Sequence, residues 1–246
     1  MALGEDDLVK GARIRIAASL ASAPMGHLAD TVAALEVAGA DIIHFDLEDG
    51  TFVPMLTLGT RLIGELRPLT RLPFDAHLMV QNPERLIPEV VALGAGWVSV
   101  HWEACVDPHR ALRLIRERGA RAGLAFNPQT RLPDLRHLRS CLDFVLVLTS
   151  DPEHAQAAFL PETLAKLCLG RATLGCEGID WVVDGGITAE NAWQAGAAGA
   201  TVIVSGRGVF RNGAVAHNLA ALRLSASKAT ASRSCGQKLC RRSPEA

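Results

Sequence analysis

The sequence predicts an α/β protein folded as a single (β/α)8 TIM barrel. Short apolar segments typical of strands recur eight times along the 246 residues, and amphipathic segments typical of helices separate most of them. The strand segments lack polar alternation, as in parallel sheets that helices cover. Eight such units suit a barrel, whose usual size is about 250 residues.

The predicted strands alternate with Gly-Ala pairs in a recurring order. Four strands directly follow such a pair, at Gly39, Gly94, Gly119 and Gly199. Glycine just past a helix end adopts the left-handed conformation that caps the helix, so each pair marks the passage from helix to strand. The eight predicted strands are Ile14–Ser19, Ile42–Asp46, Phe74–Met79, Trp97–His101, Arg121–Phe126, Phe144–Leu148, Trp181–Asp184 and Thr201–Val204.

Helical patterns lie between the strands. Leu28, Val32 and Leu35 recur at helical spacing, and the further predicted helices are Pro83–Leu93, Pro108–Arg118, Leu132–Arg139, Pro161–Leu167 and Ala189–Ala195. We expect an N-terminal extension at residues 1–12, the barrel at 13–224 and a disordered tail at 225–246, where the apolar period stops. A doubly wound open sheet is the alternative, but no G-x-G-x-x-G follows the first strand.

Composition excludes several classes of function. A net charge of −1 argues against a general nucleic-acid binder. No apolar run reaches the roughly 20 residues of a membrane helix, and the acidic first ten residues do not form a secretory signal. The six cysteines form no C-x-x-C pair, which indicates free thiols in a reducing cytoplasm.

Ionisable residues cluster at the predicted carboxyl ends of three strands. His44 and Asp46 stand two apart on one strand face, His77 ends the third strand, and Asp184 ends the seventh. Barrel sites form at this end, so the four side chains are expected to converge. A lone strand-end histidine is usually a structural residue, but two imidazoles with two carboxylates indicate one divalent ion such as Zn²⁺, Mn²⁺ or Fe²⁺.

Glycines follow the last two strands. Gly185 and Gly186 come after the seventh strand, and Gly206 comes after the eighth. Barrels often bind phosphate with these two loops, where glycine lets backbone N–H groups approach the ligand. Asp184-Gly185-Gly186 alone would also fit a tight turn, but the pairing with Gly206 favours a phosphate site.

The motifs place the chain near a known family. His44-Phe45-Asp46-Leu47-Glu48-Asp49-Gly50-Thr51-Phe52-Val53-Pro54 is followed by Asp75-Ala76-His77-Leu78-Met79 and, later, by Val183-Asp184-Gly185-Gly186-Ile187. From about Ile14 to Phe210 the chain resembles ribulose-phosphate 3-epimerase and related sugar-phosphate 3-epimerases. The D-G-x-F-V-P and D-x-H-L-M motifs, in this order, are specific to that family.

The resemblance implies an isomerase acting on a sugar phosphate. It implies that His44, Asp46, His77 and Asp184 ligate the metal ion, and that Asp46 and Asp184 transfer protons on opposite faces of the substrate. It places Ser19 and Met79 at the substrate, where His77 and the loop glycines Gly185, Gly186 and Gly206 are also expected. It implies a homo-oligomer, and its chemistry needs no organic cofactor. Composition already indicates a cytoplasmic protein without a nucleic-acid or membrane partner.

Several positions depart from the family pattern. Glu48 and Leu148 stand where the family usually has methionines that cover the reacting centre with Met79. Residues 151–157 replace a glycine-rich loop, and Arg207 replaces the small residue after Gly206, where its charge could bind phosphate. The residues that the resemblance assigns to metal binding and proton transfer are all present. The changed positions contact the substrate, so they leave undecided which ketose phosphate the protein would bind.

The sequence leaves three alternatives to a ribulose 5-phosphate epimerase. The altered loops suit a 3-epimerase of a hexulose or heptulose phosphate in a specialised sugar pathway. A related decarboxylase or aldolase would need an Asp-x-Lys-x-x-Asp array, and Asp46-Leu47-Glu48 supplies no lysine. A non-catalytic binding barrel is the third, against which the complete His/Asp set speaks. His101, at another strand end, is expected to be no ligand.

Overall fold

A closed parallel barrel organises the chain. The computed structural model describes residues 13–154, 157–175 and 178–228. Within them, eight strands pair in sequence order and the eighth pairs with the first, which confirms the (β/α)8 fold. They are β1 (Arg15–Ser19), β2 (Ile42–Glu48), β3 (Phe74–Met79), β4 (Trp97–His101), β5 (Arg121–Phe126), β6 (Phe144–Leu148), β7 (Asp180–Asp184) and β8 (Val202–Ser205).

The strand bounds agree closely with the sequence prediction. Strands β3 to β6 have the predicted bounds, β1 and β7 differ by one residue at one end, and β8 is shifted by one residue at both ends. Strand β2 is two residues longer, because its register with β3 continues until Glu48 lies opposite Met79. Glu48 is therefore a strand residue on the same face as Asp46, and not part of the turn that follows.

Helices surround the barrel. In the described residues they are α1 (Leu28–Val37), α2 (Arg61–Leu66), α3 (Ile87–Ala92), α4 (Pro108–Glu117), α5 (Ala165–Leu174), α6 (Ala192–Ala198), α7 (Arg207–Phe210) and α8 (Val215–Lys228). The four cap glycines at positions 39, 94, 119 and 199 have φ of 77°, 110°, 89° and 92°, which confirms the predicted left-handed caps.

The predicted helix Leu132–Arg139 is wrong in extent. Only a 3-10 turn, Arg136–Leu138, forms between β5 and β6. Pro133 explains the difference, because it lacks an N–H donor and disfavours helical backbone at the preceding residue. Leu135 and Leu138 are still buried, so the segment covers the barrel without being an α-helix.

The last helix extends beyond the predicted end of the barrel. Helix α8 continues to Lys228, and Ser225 and Ala226, which the sequence places in the tail, are buried. Ala226 packs on α6, where a Cβ at Gly196 would lie only 2.2 Å from the Ala226 carbonyl oxygen. The rest of the predicted tail and the N-terminal extension lie outside the described residues.

Two apolar clusters hold the barrel. One fills the space between strands and helices, and the other fills the interior with residues such as Ile42, Phe144, Leu146 and Val202. Toward the carboxyl ends of the strands, the interior becomes polar. Across the described residues, no helix combines the length and apolar character needed to cross a membrane.

Candidate metal and proton-transfer site

Four side chains converge inside the barrel, as the sequence predicts. His44 Nε2 lies 3.0 Å from Asp46 Oδ1 and 3.5 Å from Asp184 Oδ2. His77 Nδ1 lies 3.3 Å from Asp46 Oδ1 and 3.7 Å from Asp184 Oδ2. All four ligand atoms lie within 4.8 Å of one another. Donors around a tetrahedral ion with bonds of about 2.1 Å are roughly 3.4 Å apart, so the set could hold a divalent ion.

Strand register produces this cluster. Asp46 lies opposite His77 in the β2–β3 pair, and His44 lies opposite Asp75. His44 and Asp46 face the interior because they alternate with apolar residues that face the helices. Asp184 enters from β7, across the barrel mouth from β2. Both histidines are fully buried, whereas the Asp46 and Asp184 side chains remain 12% and 13% exposed, which leaves the carboxylates open to a ligand.

A second carboxylate holds His44 from behind. Asp75 Oδ2 accepts a hydrogen bond of 2.8 Å from His44 Nδ1. Since a carboxylate only accepts, Nδ1 carries the hydrogen and Nε2 is the nitrogen that faces the cluster. Burial disfavours the cation, but Asp46 and Asp75 outweigh burial and hold the pKa of His44 well above its ordinary value.

Behind His77 lies a chain of three side chains, His77, His101 and Glu103, called the histidine chain below. His77 Nε2 is 2.9 Å from His101 Nε2, and His101 Nδ1 is 3.1 Å from Glu103 Oε2. Burial lowers the pKa of His101 to about 4. Burial would raise the pKa of Glu103, but hydrogen bonds from His101, Thr130 and Asn127 lower it to about 2.

Each oxygen of Asp46 has a different partner. Oδ1 faces the histidines, and Oδ2 accepts a 2.6 Å hydrogen bond from the Ser19 hydroxyl. Burial alone would raise the pKa of Asp46, but His44 and His77 outweigh burial and hold this pKa well below its ordinary value. Thr57 donates to the Asp46 main-chain carbonyl and fixes the loop after β2 over the site.

The cluster forms the floor of a cavity at the carboxyl ends of the strands. Ser19, Asp46 and Asp184 line it together with Glu48, Met79 and Leu148, the three positions where the family pattern expects covering methionines. Glu48 Oε2 is buried and has no hydrogen-bond partner among the residues that the structure describes. Burial raises the pKa of Glu48, a contact with Thr57 opposes this, and the charge of Asp46 adds to it.

The glycine loops line the opposite side of the same cavity. Gly185 and Gly186 have φ of 113° and 67°, and side chains there would also collide with Ser150 and Phe159. The fold therefore requires these glycines whether or not they contact a ligand. Gly206 and Arg207 line the cavity as well, and Arg207 Nη2 donates a 2.8 Å hydrogen bond to the Ala157 carbonyl.

Sequence reasoning missed three contributors. Asp75 is predicted only as a strand residue, and His101, which is predicted to be no ligand and lies outside the donor cluster, contacts a ligand directly. Met55, which lines the cavity, was not considered. The i, i+2 spacing of Asp75 and His77 is a usable signal, because it repeats the spacing of His44 and Asp46. The contact of His101 with His77 follows from the tertiary arrangement of β3 and β4, and no spacing in the sequence reports it.

The fold and the site together define a class of protein: a (β/α)8 barrel whose His/Asp cluster, at the carboxyl ends of the strands, could hold a metal ion. Comparison with known proteins narrows this class. The sequence model described as Ribulose-phosphate 3 epimerase family matches residues 15–210. The ribulose-phosphate 3-epimerase of Synechocystis is 38% identical over 214 residues, 85% of this chain and 93% of that protein.

A second relative has the same name and a similar identity. The ribulose-phosphate 3-epimerase of Bacillus subtilis is 38% identical over 200 residues, 80% of this chain and 92% of that protein. Among solved structures, 3-keto-L-gulonate-6-phosphate decarboxylase from Vibrio cholerae has a TM-score of 0.61 at 17% identity, covering 88% of this chain and 97% of that one. That likeness concerns the fold alone.

The chain therefore belongs to the ribulose-phosphate 3-epimerase family, as its motifs predict. This membership places it among the carbohydrate epimerases, which are isomerases.

Proposed function

We propose that the chain is a metal-dependent ketose-phosphate 3-epimerase of the ribulose 5-phosphate/xylulose 5-phosphate type. One observation carries this proposal: Asp46 and Asp184 come from β2 and β7, line the same cavity and belong to one four-donor cluster. Inverting a carbon next to a ketone needs two proton-transfer groups, and these carboxylates supply them. Family membership supports the same reaction.

The two aspartates exchange roles during the reaction. One carboxylate removes the proton from C3, and the C–H electrons form a C2–C3 double bond while the carbonyl oxygen takes the negative charge. The other aspartate, protonated at the start, donates its proton to the opposite face of C3 as the carbonyl re-forms. This 1,1-proton transfer leaves the two protonation states exchanged, so the reverse reaction uses the same pair.

The intermediate is an enediolate, whose negative oxygens need a nearby cation. A divalent ion held by His44, Asp46, His77 and Asp184 would supply that charge, and Zn²⁺, Mn²⁺ and Fe²⁺ all suit two nitrogen and two oxygen donors. The Ser19 hydroxyl orients Asp46 by its bond to Oδ2. The proton transfers themselves need no organic cofactor.

The other end of the cavity suits the substrate phosphate. We assign this role to the loops with Gly185, Gly186 and Gly206, and to Arg207, whose exposed guanidinium stands at the cavity edge. Arg207 would bind phosphate by charge, and its present bond to Ala157 joins the two loops that flank that position. Met79 and Leu148 form an apolar cover over the reacting carbons.

Hydrogen exchange tests the reaction and the substrate together. Five-, six- and seven-carbon ketose phosphates are incubated with the enzyme in deuterated water, and deuterium at C3 is measured by NMR. We expect Asp46→Asn and Asp184→Asn each to lower exchange at least about 100-fold. The exposed Asp30→Asn on α1 is the control and should leave it unchanged. Near-full exchange in either site variant would overturn the assignment of two bases.

Glu48 favours a second candidate substrate. Glu48 lines the cavity, and no described residue hydrogen-bonds its buried Oε2, so a substrate hydroxyl could donate to it. A hexulose or heptulose phosphate offers more hydroxyls than a pentulose phosphate does. Faster exchange with the longer ketoses would establish this alternative, and efficient exchange with ribulose 5-phosphate alone would reject it.

A non-catalytic barrel is the remaining candidate. The altered loop at residues 151–157 favours it, whereas the retention of all four donors favours an enzyme. Metal uptake distinguishes the epimerase from the non-catalytic barrel. The proposed reaction requires a divalent ion at the cluster, so a protein that takes up none would be the non-catalytic barrel.

A further inference from the structure

The histidine chain contains a contact that constrains hydrogen positions. His77 and His101 are both fully buried, and their rings meet edge to edge, with centroids 4.9 Å apart and an interplanar angle of 22°. Their Nε2 atoms are 2.9 Å apart, so a single hydrogen lies between them. For two neutral rings, either His77 donates to His101 or His101 donates to His77.

The two arrangements have opposite consequences for the metal site. If His77 donates from Nε2, its Nδ1 can direct a lone pair to an ion that Asp46 and Asp184 also bind; without the ion, a hydrogen on Nδ1 would face Asp46 Oδ1, 3.3 Å away. If His101 donates, the hydrogen of His77 sits on Nδ1, and that nitrogen cannot ligate an ion. The direction of one hydrogen bond therefore decides whether His77 is a ligand.

Glu103 selects the first arrangement. Its Oε2 lies 3.1 Å from His101 Nδ1, and a carboxylate only accepts, so the hydrogen of His101 must be on Nδ1. His101 Nε2 is then the acceptor for His77. We propose that Glu103, acting through His101, is a positioning residue that fixes the His77 tautomer required for metal binding.

The carboxylate is held in place for this role. Glu103 Oε1 accepts a 2.8 Å hydrogen bond from the Asn127 main-chain N–H, at the end of β5. The Thr130 hydroxyl donates to the same side chain. These donors fix which oxygen faces His101, so β4 and β5, which supply no ligand to the cluster, set the chemistry of a ligand on β3.

The variant Glu103→Gln should reverse the direction of the hydrogen bonds in the histidine chain. The Asn127 N–H requires an acceptor, so the amide oxygen would stay on that side and the NH₂ would face His101 Nδ1. His101 would then carry its hydrogen on Nε2 and donate to His77, which would place the His77 hydrogen on Nδ1. Glu103→Gln preserves side-chain size, yet through His101 it would place a hydrogen on the His77 nitrogen that faces the metal site.

Calorimetric titration with Zn²⁺ alone tests this inference, which rests on the proposed metal site. We expect Glu103→Gln to weaken Zn²⁺ binding about 10- to 100-fold, the usual effect of losing an outer-shell partner. Asp107→Asn, an acid-to-amide change in the same loop that caps α4, is the control and should bind as the wild type does. Unchanged affinity in Glu103→Gln would overturn the role of Glu103, whereas no Zn²⁺ uptake by the wild type would overturn the proposed metal function itself.

A spectroscopic measurement gives a second, independent readout. In ¹⁵N NMR of the Zn²⁺-loaded wild type, we expect the hydrogen of His101 on Nδ1 and that of His77 on Nε2. A hydrogen on His101 Nε2 would overturn the proposal. Because this spectrum needs no variant, it decides the question even if Glu103→Gln folds poorly.

Discussion

At the scale of single residues, the site depends on how each oxygen of Asp46 is used. Oδ1 belongs to the donor cluster, and Oδ2 accepts from Ser19 at 2.6 Å. A carboxylate that both ligates and transfers protons must be held in one orientation, because small misplacements are costly in catalysis. The Ser19 hydroxyl is the group that fixes this orientation.

Removing that hydroxyl should therefore slow the reaction. Ser19→Ala deletes a hydrogen bond to a charged group, a contact with a typical value of about 1.5–3 kcal/mol. We expect kcat to fall at least about tenfold while the apolar packing of the strand persists. Steady-state kinetics measures the loss, and thermal unfolding of the variant checks the fold. An unchanged kcat would show that Asp46 needs no orienting partner.

Glu48 is the residue on which substrate choice is expected to depend. Restoring the family's methionine, Glu48→Met, removes the acceptor and should shift kcat/KM toward shorter ketose phosphates by about tenfold, the value of one good hydrogen bond. Glu48→Gln is the matched control, since its amide oxygen still accepts from a hydroxyl. Equal profiles for wild type and Glu48→Met across the ketose panel would rule out this role.

At the scale of elements, an ionic cluster joins the amino ends of the strands at the other end of the barrel. Asp180 on β7 pairs with Arg15 on β1, lies 2.8 Å from Arg121 on β5, and accepts a 2.8 Å bond from Thr201 before β8. Burial would raise the pKa of Asp180, but these partners outweigh burial and lower it. The cluster therefore links non-neighbouring strands far from the catalytic end.

Loss of this cluster should affect stability in a pH-dependent way. Asp180→Asn should lower the free energy of unfolding by about 1–2 kcal/mol near pH 7, allowing for the partly exposed arginines. Because the folded pKa of Asp180 is depressed, its contribution is present above the unfolded value of about 3.9 and is lost as pH falls through the folded value. Urea unfolding should thus show a gap between wild type and variant that narrows below about pH 5. A gap independent of pH would contradict this account.

At the scale of the whole molecule, the sequence predicts the barrel well because each strand and cap has a local signal. The four donors were also predictable, since alternation puts His44 and Asp46 on one face and barrel sites form at strand ends. The prediction of helix Leu132–Arg139 is wrong because Pro133 outweighs the apolar period of that segment. The role of His101 could not be predicted, because it depends on contacts between strands. The homo-oligomer stays a prediction.

The same whole-molecule view yields a prediction about metal and folding. The donors lie on β2, β3 and β7, from His44 to Asp184, so they meet only when the barrel is closed. An ion that binds this arrangement and not the unfolded chain stabilises the fold by about 2.7 kcal/mol at 100 times its Kd. For a domain of this size that corresponds to a rise in Tm of roughly 5–10 °C.

Thermal unfolding with added Zn²⁺ and with EDTA measures this rise. The matched control is His77→Gln, which removes one nitrogen donor and should abolish most of the Zn²⁺-dependent rise. An equal rise in wild type and His77→Gln would place the stabilising ion elsewhere on the protein. A rise confined to the wild type would show that ion binding at the four donors is coupled to closure of the barrel, because these donors lie on β2, β3 and β7.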